Sequence, residues 1–347
     1  MKRIQSSIRS SELLTKSAIC RTSRLPLSSA AMEKLTWKML YVLIPCSTLL
    51  GFTSVLQLSW YPWNIRPTQN WQLIQLHRKN MLNSMCMKYN LTNSTLGLSR
   101  KTARQIFVEE THKVLYCEVP KTGCSNWKRI LLLLRSNEHI DPSEISHAFV
   151  HNTSLLRRLT SYPRATQTEM LRNYTKVMFT RDPFQRLISA YKNKFLHSEG
   201  SGYYSKVIAR KIKKLFGSSS SLNDSVTFEE FVRYVLHENP KYADIHWDLS
   251  TNLCSPCYIQ YSILGKFETL NEDAAQVLKR IGAPSYLHFP NIRQYADEVQ
   301  TSMDMTKRYF RNLSSDQRES FVDKFNLDFT LFNYPIYITN ETFQDIS

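Results

Sequence analysis

The chain has 347 residues, 42% of them hydrophobic, with 45 Lys and Arg against 29 Asp and Glu and a formal charge of +16. That length and hydrophobic content suit a globular protein with a sizeable core, in one large domain or two modest ones. The basic excess suits nucleic acid, a membrane surface, an anionic substrate or merely a solvated basic face; without zinc-finger spacing, an RNA-binding signature or basic heptads, nucleic acid ranks last and no such partner is expected.

Residues 1–38 carry eight Lys and Arg against Glu12 and Glu33 and are expected to form a cytoplasmic tail. From Met39 to Tyr61 no Asp, Glu, Lys, Arg or His occurs, and the run ends in Trp60 and Tyr61 with Trp63 just beyond. This exceeds the ~20 residues that cross a bilayer and closes on an interfacial aromatic belt, so it reads as an uncleaved transmembrane signal-anchor (39–61) rather than a cleaved signal peptide. The basic bias keeps the amino terminus cytoplasmic and the remainder lumenal. Seven Asn-x-Ser/Thr sequons, at Asn90, Asn93, Asn152, Asn173, Asn223, Asn312 and Asn340, favour the same compartment.

Residues 62–104 are polar, lack a sustained strand pattern and read as a stem; the main folded domain is expected over 105–347. Within it a strand at 114–119 leads to a helix from Ser125 to Leu134, and a strand at 176–180 leads to a helix from Pro183 to Phe195. The basic, then Ser-rich run from Lys206 to Ser221 reads as a surface loop. A capping box, Thr227-x-x-Glu230, opens a further helix, followed by a strand at 261–267 and a helix over 272–280. Repeated strand–turn–helix units predict an α/β fold, a parallel sheet covered by helices. Five cysteines lie beyond the span (Cys86, Cys117, Cys124, Cys254, Cys257), an odd number that leaves at least one unpaired or paired between chains. One CxxC is a weak zinc signal, and structural disulfides with partners left open are the preferred reading.

The two strand-to-helix turns carry the chemistry. In Pro120-Lys121-Thr122-Gly123-Cys124-Ser125-Asn126, Gly123 admits close approach of an anion, Lys121 supplies a charge, and Thr122, Ser125 and Asn126 supply donors at a helix start. In Arg181-Asp182-Pro183-Phe184-Gln185-Arg186-Leu187-Ile188-Ser189, Pro183 fits the first helical position and Phe184, Leu187, Ile188 and Tyr191 form an apolar face, leaving Arg181 and Ser189 to share an anion. Each turn alone could be an ordinary βα connection. Two in order, about sixty residues apart, suit a nucleotide-type ligand with phosphate at both ends. The Walker A pattern is absent, which removes the main support for a kinase.

These turns, with Asp-Ile-His-Trp-Asp (244–248), Leu-Cys-Ser-Pro-Cys (253–257), Gly-Lys-Phe-Glu-Thr-Leu (265–270) and Leu-Phe-Asn-Tyr (331–334), resemble the Golgi carbohydrate sulfotransferases. Glu118 before Val-Pro-Lys, the Cys-Ser-Pro-Cys wording and Leu-Phe-Asn-Tyr look like the N-acetylgalactosamine 4-O-sulfotransferase branch. The resemblance implies a P-loop-like sulfotransferase fold, a single-pass type II Golgi membrane protein, 3′-phosphoadenosine 5′-phosphosulfate as co-substrate and a glycan acceptor. It makes Pro120, Lys121, Thr122, Gly123, Cys124, Ser125 and Asn126 the 5′-phosphosulfate loop, and Arg181, Asp182, Pro183, Phe184, Arg186 and Ser189 the 3′-phosphate site. In-line sulfuryl transfer requires no metal. Lys121 would stabilise the leaving oxygen and His246 would be the general base, with His147 and His151 behind it. Terminal GalNAc linked to GlcNAc on N-glycans is the preferred acceptor and chondroitin or dermatan the runner-up. The alternative of another class is a lumenal glycan-binding protein without turnover.

Overall fold

A computed structural model describes residues 67–92, 97–136, 138–196, 202–217, 225–292 and 301–338. The expected tail and span, and the sequons at Asn93, Asn223 and Asn340, lie outside the described residues, among which no helix is long and apolar enough to cross a membrane. The other four sequon asparagines, Asn90, Asn152, Asn173 and Asn312, are exposed.

In chain order the helices are α1 (Pro67–Lys88), α2 (Arg100–Gln105), α3 (Cys124–Ser136), α4 (His147–Asn152), α5 (Arg164–Asn173), α6 (Pro183–Tyr191), α7 (Ala209–Phe216), α8 (Phe228–His237), α9 (Ser250–Cys254), α10 (Pro256–Ile259), α11 (Leu270–Arg280), α12 (Met303–Arg311) and α13 (Ser315–Leu331). Strands β1 (Ile106–Glu109), β2 (Val114–Cys117), β3 (Arg157–Arg158), β4 (Thr175–Thr180) and β5 (Ile263–Lys266) form one sheet in the order β3-β1-β2-β4-β5. The expected parallel sheet holds for β2, β4 and β5, whereas β1 and β3 extend it antiparallel, so the sheet is mixed. The four-residue β1 and two-residue β3 are too short to show an alternating pattern.

Side-chain alternation divides the core between the two faces of the sheet. Phe107, Val114, Tyr116, Val177, Phe179 and Ile263 pack with Trp127 and Ile130–Leu134 of α3 and with Ala274, Val277 and Leu278 of α11. Ile106, Val108, Leu115, Cys117, Met178 and Leu264 pack with Phe184, Leu187 and Ile188 of α6, Phe231 of α8, and Phe321, Phe325 and Phe329 of α13. Strands buried on both faces read as continuous apolar runs, which is why β2 and β4 were legible. Because α3 and α6 follow adjacent parallel strands yet leave on opposite faces, a crevice opens between the carboxyl ends of β2 and β4, the switch point at which α/β sheets bind ligands.

Two expectations are corrected here. The segment read as a stem contains α1, which belongs to the same compact unit as the rest of the described chain. Trp71 Nε1 donates to Asp273 Oδ1 at 2.8 Å, Gln75 pairs with both the N–H and the carbonyl of Leu264, and Cys86 is disulfide-bonded to Cys257. The run read as a loop from Lys206 includes a helical turn (Tyr204–Ile208) and α7, which bury Ile208, Ile212 and Lys213; Lys213 is neutralised by Glu230 at 2.9 Å.

Asp273, 1% exposed, also accepts from Arg78 (2.8 Å), the Lys266 N–H (3.0 Å) and Thr269 Oγ1 (2.6 Å). Asp273→Ala strands these donors and is expected to destabilise the protein by about 3–5 kcal/mol. Urea unfolding reads the change, and a loss within 1 kcal/mol, roughly that of an exposed ion pair, would contradict this docking of α1.

Cys117 pairs with Cys254, and with the Cys86–Cys257 bridge this puts the two ends of the CxxC in different disulfides, so the pair holds no zinc. Cys124 is the free thiol among the described cysteines. The bridges span 137 and 171 residues, and closing loops of that length stabilises a fold by roughly 3–5 kcal/mol each.

Candidate active site

A cavity of about 1240 Å³ opens at the carboxyl ends of β2, β4 and β5 and is lined by both turns, by His147 and His151, by Asn193, Lys194 and His246, and by Phe267–Glu272 and Phe289–Ile292. A smaller pocket of about 400 Å³ between α1 and β5, lined by Leu73, Ile74, Met81 and Phe332, contains none of Lys121, Arg181 or His246.

The first turn is shaped by two left-handed residues, Lys121 at φ 73° and Gly123 at φ 86°. Lysine in that region is strained, a cost that clusters at functional sites. Gly123 takes its φ without the strain a side chain would carry, and a Cβ there would also have to displace Leu270 Cδ2, 2.8 Å away. Thr122 is fully buried and its hydroxyl donates to the Val119 carbonyl at 2.7 Å, which ties the loop to the strand it leaves. Asn126 donates to the carbonyls of Pro290 and Ile292 and accepts from Arg129, thereby fixing the opposite cavity wall. Burial, foremost, raises the pKa of the Cys124 thiol above its ordinary value.

The second turn meets the first directly, since Arg181 donates from its guanidinium to the Lys121 carbonyl at 3.2 Å and stacks 4.0 Å over Phe267. Ser189, 6% exposed, lines the same cavity from one to two turns into α6. Nine predicted site residues are therefore brought together: Pro120, Lys121, Gly123, Cys124, Ser125, Asn126, Arg181, Ser189 and His246.

Five are placed behind the lining. Thr122 acts as above. Asp182 caps α6 by accepting from the Gln185 N–H at 2.9 Å, while burial, the leading cause, pushes its carboxyl up to about 6. Pro183 opens α6, and Phe184 lies wholly in the core among Phe310, Phe321 and Phe329. Arg186, 2% exposed, donates to the carbonyls of Pro120, Asp248 and Ile245 at 3.1, 2.7 and 3.3 Å. It fastens the phosphate-ready loop to the segment that carries His246.

His246 sits in a partner set that its sequence position only hinted at. Its Nδ1 donates to Asp244 Oδ1 at 2.7 Å, and the Tyr204 hydroxyl donates to Asp244 Oδ2 at 2.9 Å. The tautomer so fixed leaves Nε2 as the basic nitrogen of a ring lining the cavity. Burial, ahead of the opposing bond to Asp244, holds its pKa below the ordinary imidazole value, with Lys194 and Lys121 adding to the effect. The rings of His147 and His151, the other base candidates, lie 4.3 Å apart and tilted by 33°. Both ring nitrogens of His151 are engaged, one by Ser125 and one by Lys128.

Sequence reasoning missed Lys128, Arg129, Arg158, Asn193 and Lys194, which line the cavity from α3, β3 and the turn after α6. Glu118 accepts from Lys128 at 2.6 Å and Arg158 at 2.8 Å; burial opposes its ionisation, yet the two cations hold its pKa below the ordinary value. Lys128 and Arg129 follow Trp127 on α3, where a basic pair was visible, but not that it would be buried.

An α/β sheet with a cationic, strained loop and a buried Arg–Ser pair at adjacent strand ends defines a protein suited to a doubly anionic ligand across its switch point. The sequence profile described as "Sulfotransferase family" matches residues 104–335. Carbohydrate sulfotransferase 8 of Mus musculus is 40% identical over 267 residues, covering 75% of this chain and 63% of the relative. Carbohydrate sulfotransferase 9 of Homo sapiens is 39% identical (75% and 60% covered), and carbohydrate sulfotransferase 11 of Rattus norvegicus 32% identical (82% and 83%). The chain belongs to the sulfotransferase family, among its carbohydrate sulfotransferases. It thus spans about three-fifths of the first two relatives and most of the third. No solved structure matches the chain significantly.

Proposed function

We propose that this chain is a Golgi sulfotransferase that moves the sulfuryl group of 3′-phosphoadenosine 5′-phosphosulfate to the C4 hydroxyl of N-acetylgalactosamine. The observation that carries this reading is the direct meeting of the two turns, with Arg181 bonded to the backbone of Lys121 over one cavity. The donor's two anionic ends fit these turns: the 3′-phosphate against the planar fork of Arg181 and the hydroxyl of Ser189, the 5′-phosphosulfate against Lys121, Gly123 and the start of α3. Pro183, Phe184, Arg186, Asp182 and Thr122 support these contacts from behind.

His246 takes the proton of the attacking hydroxyl at Nε2, while Asp244 steadies the ring and the imidazolium that forms. The oxygen attacks sulfur in line with the departing bisphosphate, whose growing charge faces Lys121 and the α3 amino terminus. A base must be unprotonated to act, and the folded pKa of His246 lies below 6.5. Turnover is therefore expected to be level near neutral pH and to fall on acidification only below pH 6.5, about tenfold per unit once past that pKa. His246→Ala should remove this acid limb and lower kcat by about 10²–10⁴. An unchanged pH profile would exclude His246 as the base.

The GalNAc C4 assignment rests on the wording at Glu118, Cys254–Cys257 and Leu331–Tyr334, with terminal GalNAc on N-glycans preferred over chondroitin or dermatan. Transfer of radiolabelled sulfate from the donor to terminal GalNAc-GlcNAc, chondroitin and dermatan tests it, and no transfer to any GalNAc acceptor would sink it. Anchoring through residues 39–61 with a lumenal domain completes the proposal, and a chain open to protease in sealed microsomes would contradict it.

A further inference from the structure

A continuous line of hydrogen bonds runs along one wall of the cavity without touching Arg181 or His246. Arg158 donates to Glu118 Oε2 at 2.8 Å, Lys128 donates to Glu118 Oε1 at 2.6 Å, Lys128 Nζ lies 3.2 Å from His151 Nδ1, and His151 Nε2 lies 2.9 Å from Ser125 Oγ. All five residues line the cavity. Lys128 and Glu118 are each 4% exposed, so the charges that set the direction of the line are locked into the fold.

The chemistry of the donors fixes that direction. An ammonium group has no acceptor, so the contact with Lys128 makes His151 Nδ1 the accepting nitrogen and leaves the proton on Nε2. Nε2–H then donates to Ser125 Oγ and occupies one of its lone pairs. The hydroxyl proton of Ser125, on the first turn of α3, is thereby turned away from His151 and toward the cavity.

We propose that His151 is a positioning residue: through its Nε2–H it orients the Ser125 hydroxyl as a preformed donor to the sulfated end of the nucleotide, with its tautomer set by Lys128 and Glu118. This rests on the sulfotransferase reading for its ligand but not for its geometry. A donor aimed before the anion arrives needs no reorganisation during reaction, the condition under which a hydrogen bond contributes most to a transition state. The same arrangement explains why His151 is unsuited to the role of general base, since its one lone-pair nitrogen faces an ammonium group.

A double-mutant cycle on the full chain tests the proposal. His151→Ala should lower kcat/KM for the donor about tenfold, the effect of one aimed hydrogen bond. His151→Gln, whose amide N–H reaches the place of Nε2–H, should recover activity to within about threefold of wild type. In a Ser125→Ala background the His151→Ala change should cost under about twofold, because the hydroxyl it orients is gone. Imidazole nitrogen NMR should report Nε2 protonated and Nδ1 bare at pH 7, whether or not the protein turns over donor. Additive losses in the cycle, or a proton on Nδ1, would overturn the proposal. An inactive wild type with the expected tautomer would instead refute the sulfotransferase reading and leave the geometry standing.

Discussion

Lys121→Ala is expected to lower kcat by about 10²–10³ while leaving the fold intact. Lys121 lies in the loop between β2 and α3, partly exposed and facing the cavity, so its side chain contributes little to the core. Its backbone contributes more, because its carbonyl accepts from Arg181, and that bond survives truncation of the side chain. The left-handed φ of 73° is as hard for alanine as for lysine, so the substitution leaves this strain in place. On the proposed mechanism, what disappears is a cation beside the oxygen on which charge accumulates as the bisphosphate departs, and the loss should appear mainly in kcat, with a smaller loss of donor affinity from its contact with the 5′-phosphosulfate. Steady-state kinetics beside a thermal melt separates the outcomes. Near-normal kcat would remove Lys121 from the mechanism, and a melt lowered by many degrees would reassign its role to the fold.

Arg181→Lys preserves charge yet is expected to weaken adenosine 3′,5′-bisphosphate binding by about 10- to 100-fold. The guanidinium carbon lies 4.0 Å from the centre of the Phe267 ring while one nitrogen donates to the Lys121 carbonyl, so the group is held from two sides beside the cavity. An ammonium group neither stacks in this way nor bonds the carbonyl and a phosphate as a rigid unit. A nucleotide with only the 5′-phosphate should lose far less, because the contact concerned is at the other end. Calorimetric titration with both ligands makes the comparison, and equal losses would contradict the assignment of Arg181 to the 3′-phosphate.

Legibility followed the range of the interactions involved. The strands β2 and β4 and the starts of α3 and α6 rest on local rules, apolar runs ending in Gly or Pro turns, and they lie within a few residues of expectation. The capping box at Thr227 and Glu230 forms as read. Helix α1 was illegible because its buried residues, Trp71, Gln75, Leu82 and Cys86, are sparse and partly polar, and its anchors at Asp273, Leu264 and Cys257 are distant in sequence. Disulfide partners 137 and 171 residues apart leave no local trace either.

At the site, the same contrast separates Arg181 from Arg186. Arg181 directly follows β4 at a turn, where a functional role can be inferred from sequence. Arg186 sits on α6 with three backbone carbonyls, none near it in sequence, and its burial becomes visible only once the loops are folded around it. Phe184 already belonged by spacing to the apolar face of α6, and the core position it takes follows from that periodicity. Asp244, two residues before His246, was present in the Asp-Ile-His stretch, but its bond to the ring depends on a turn that places both on one side.

The central claim is that this cavity delivers a sulfuryl group to the C4 oxygen of GalNAc, and mapping the sulfate on the product tests it most directly. The purified full-length protein is incubated with 3′-phosphoadenosine 5′-phosphosulfate and a terminal GalNAc-GlcNAc acceptor, and the product is assigned by NMR. The account predicts sulfate on C4, none on an acceptor blocked at C4, and unchanged transfer to one blocked at C6. Sulfate on C6 or on another sugar would contradict the acceptor assignment, and the absence of any sulfated product would contradict the account itself.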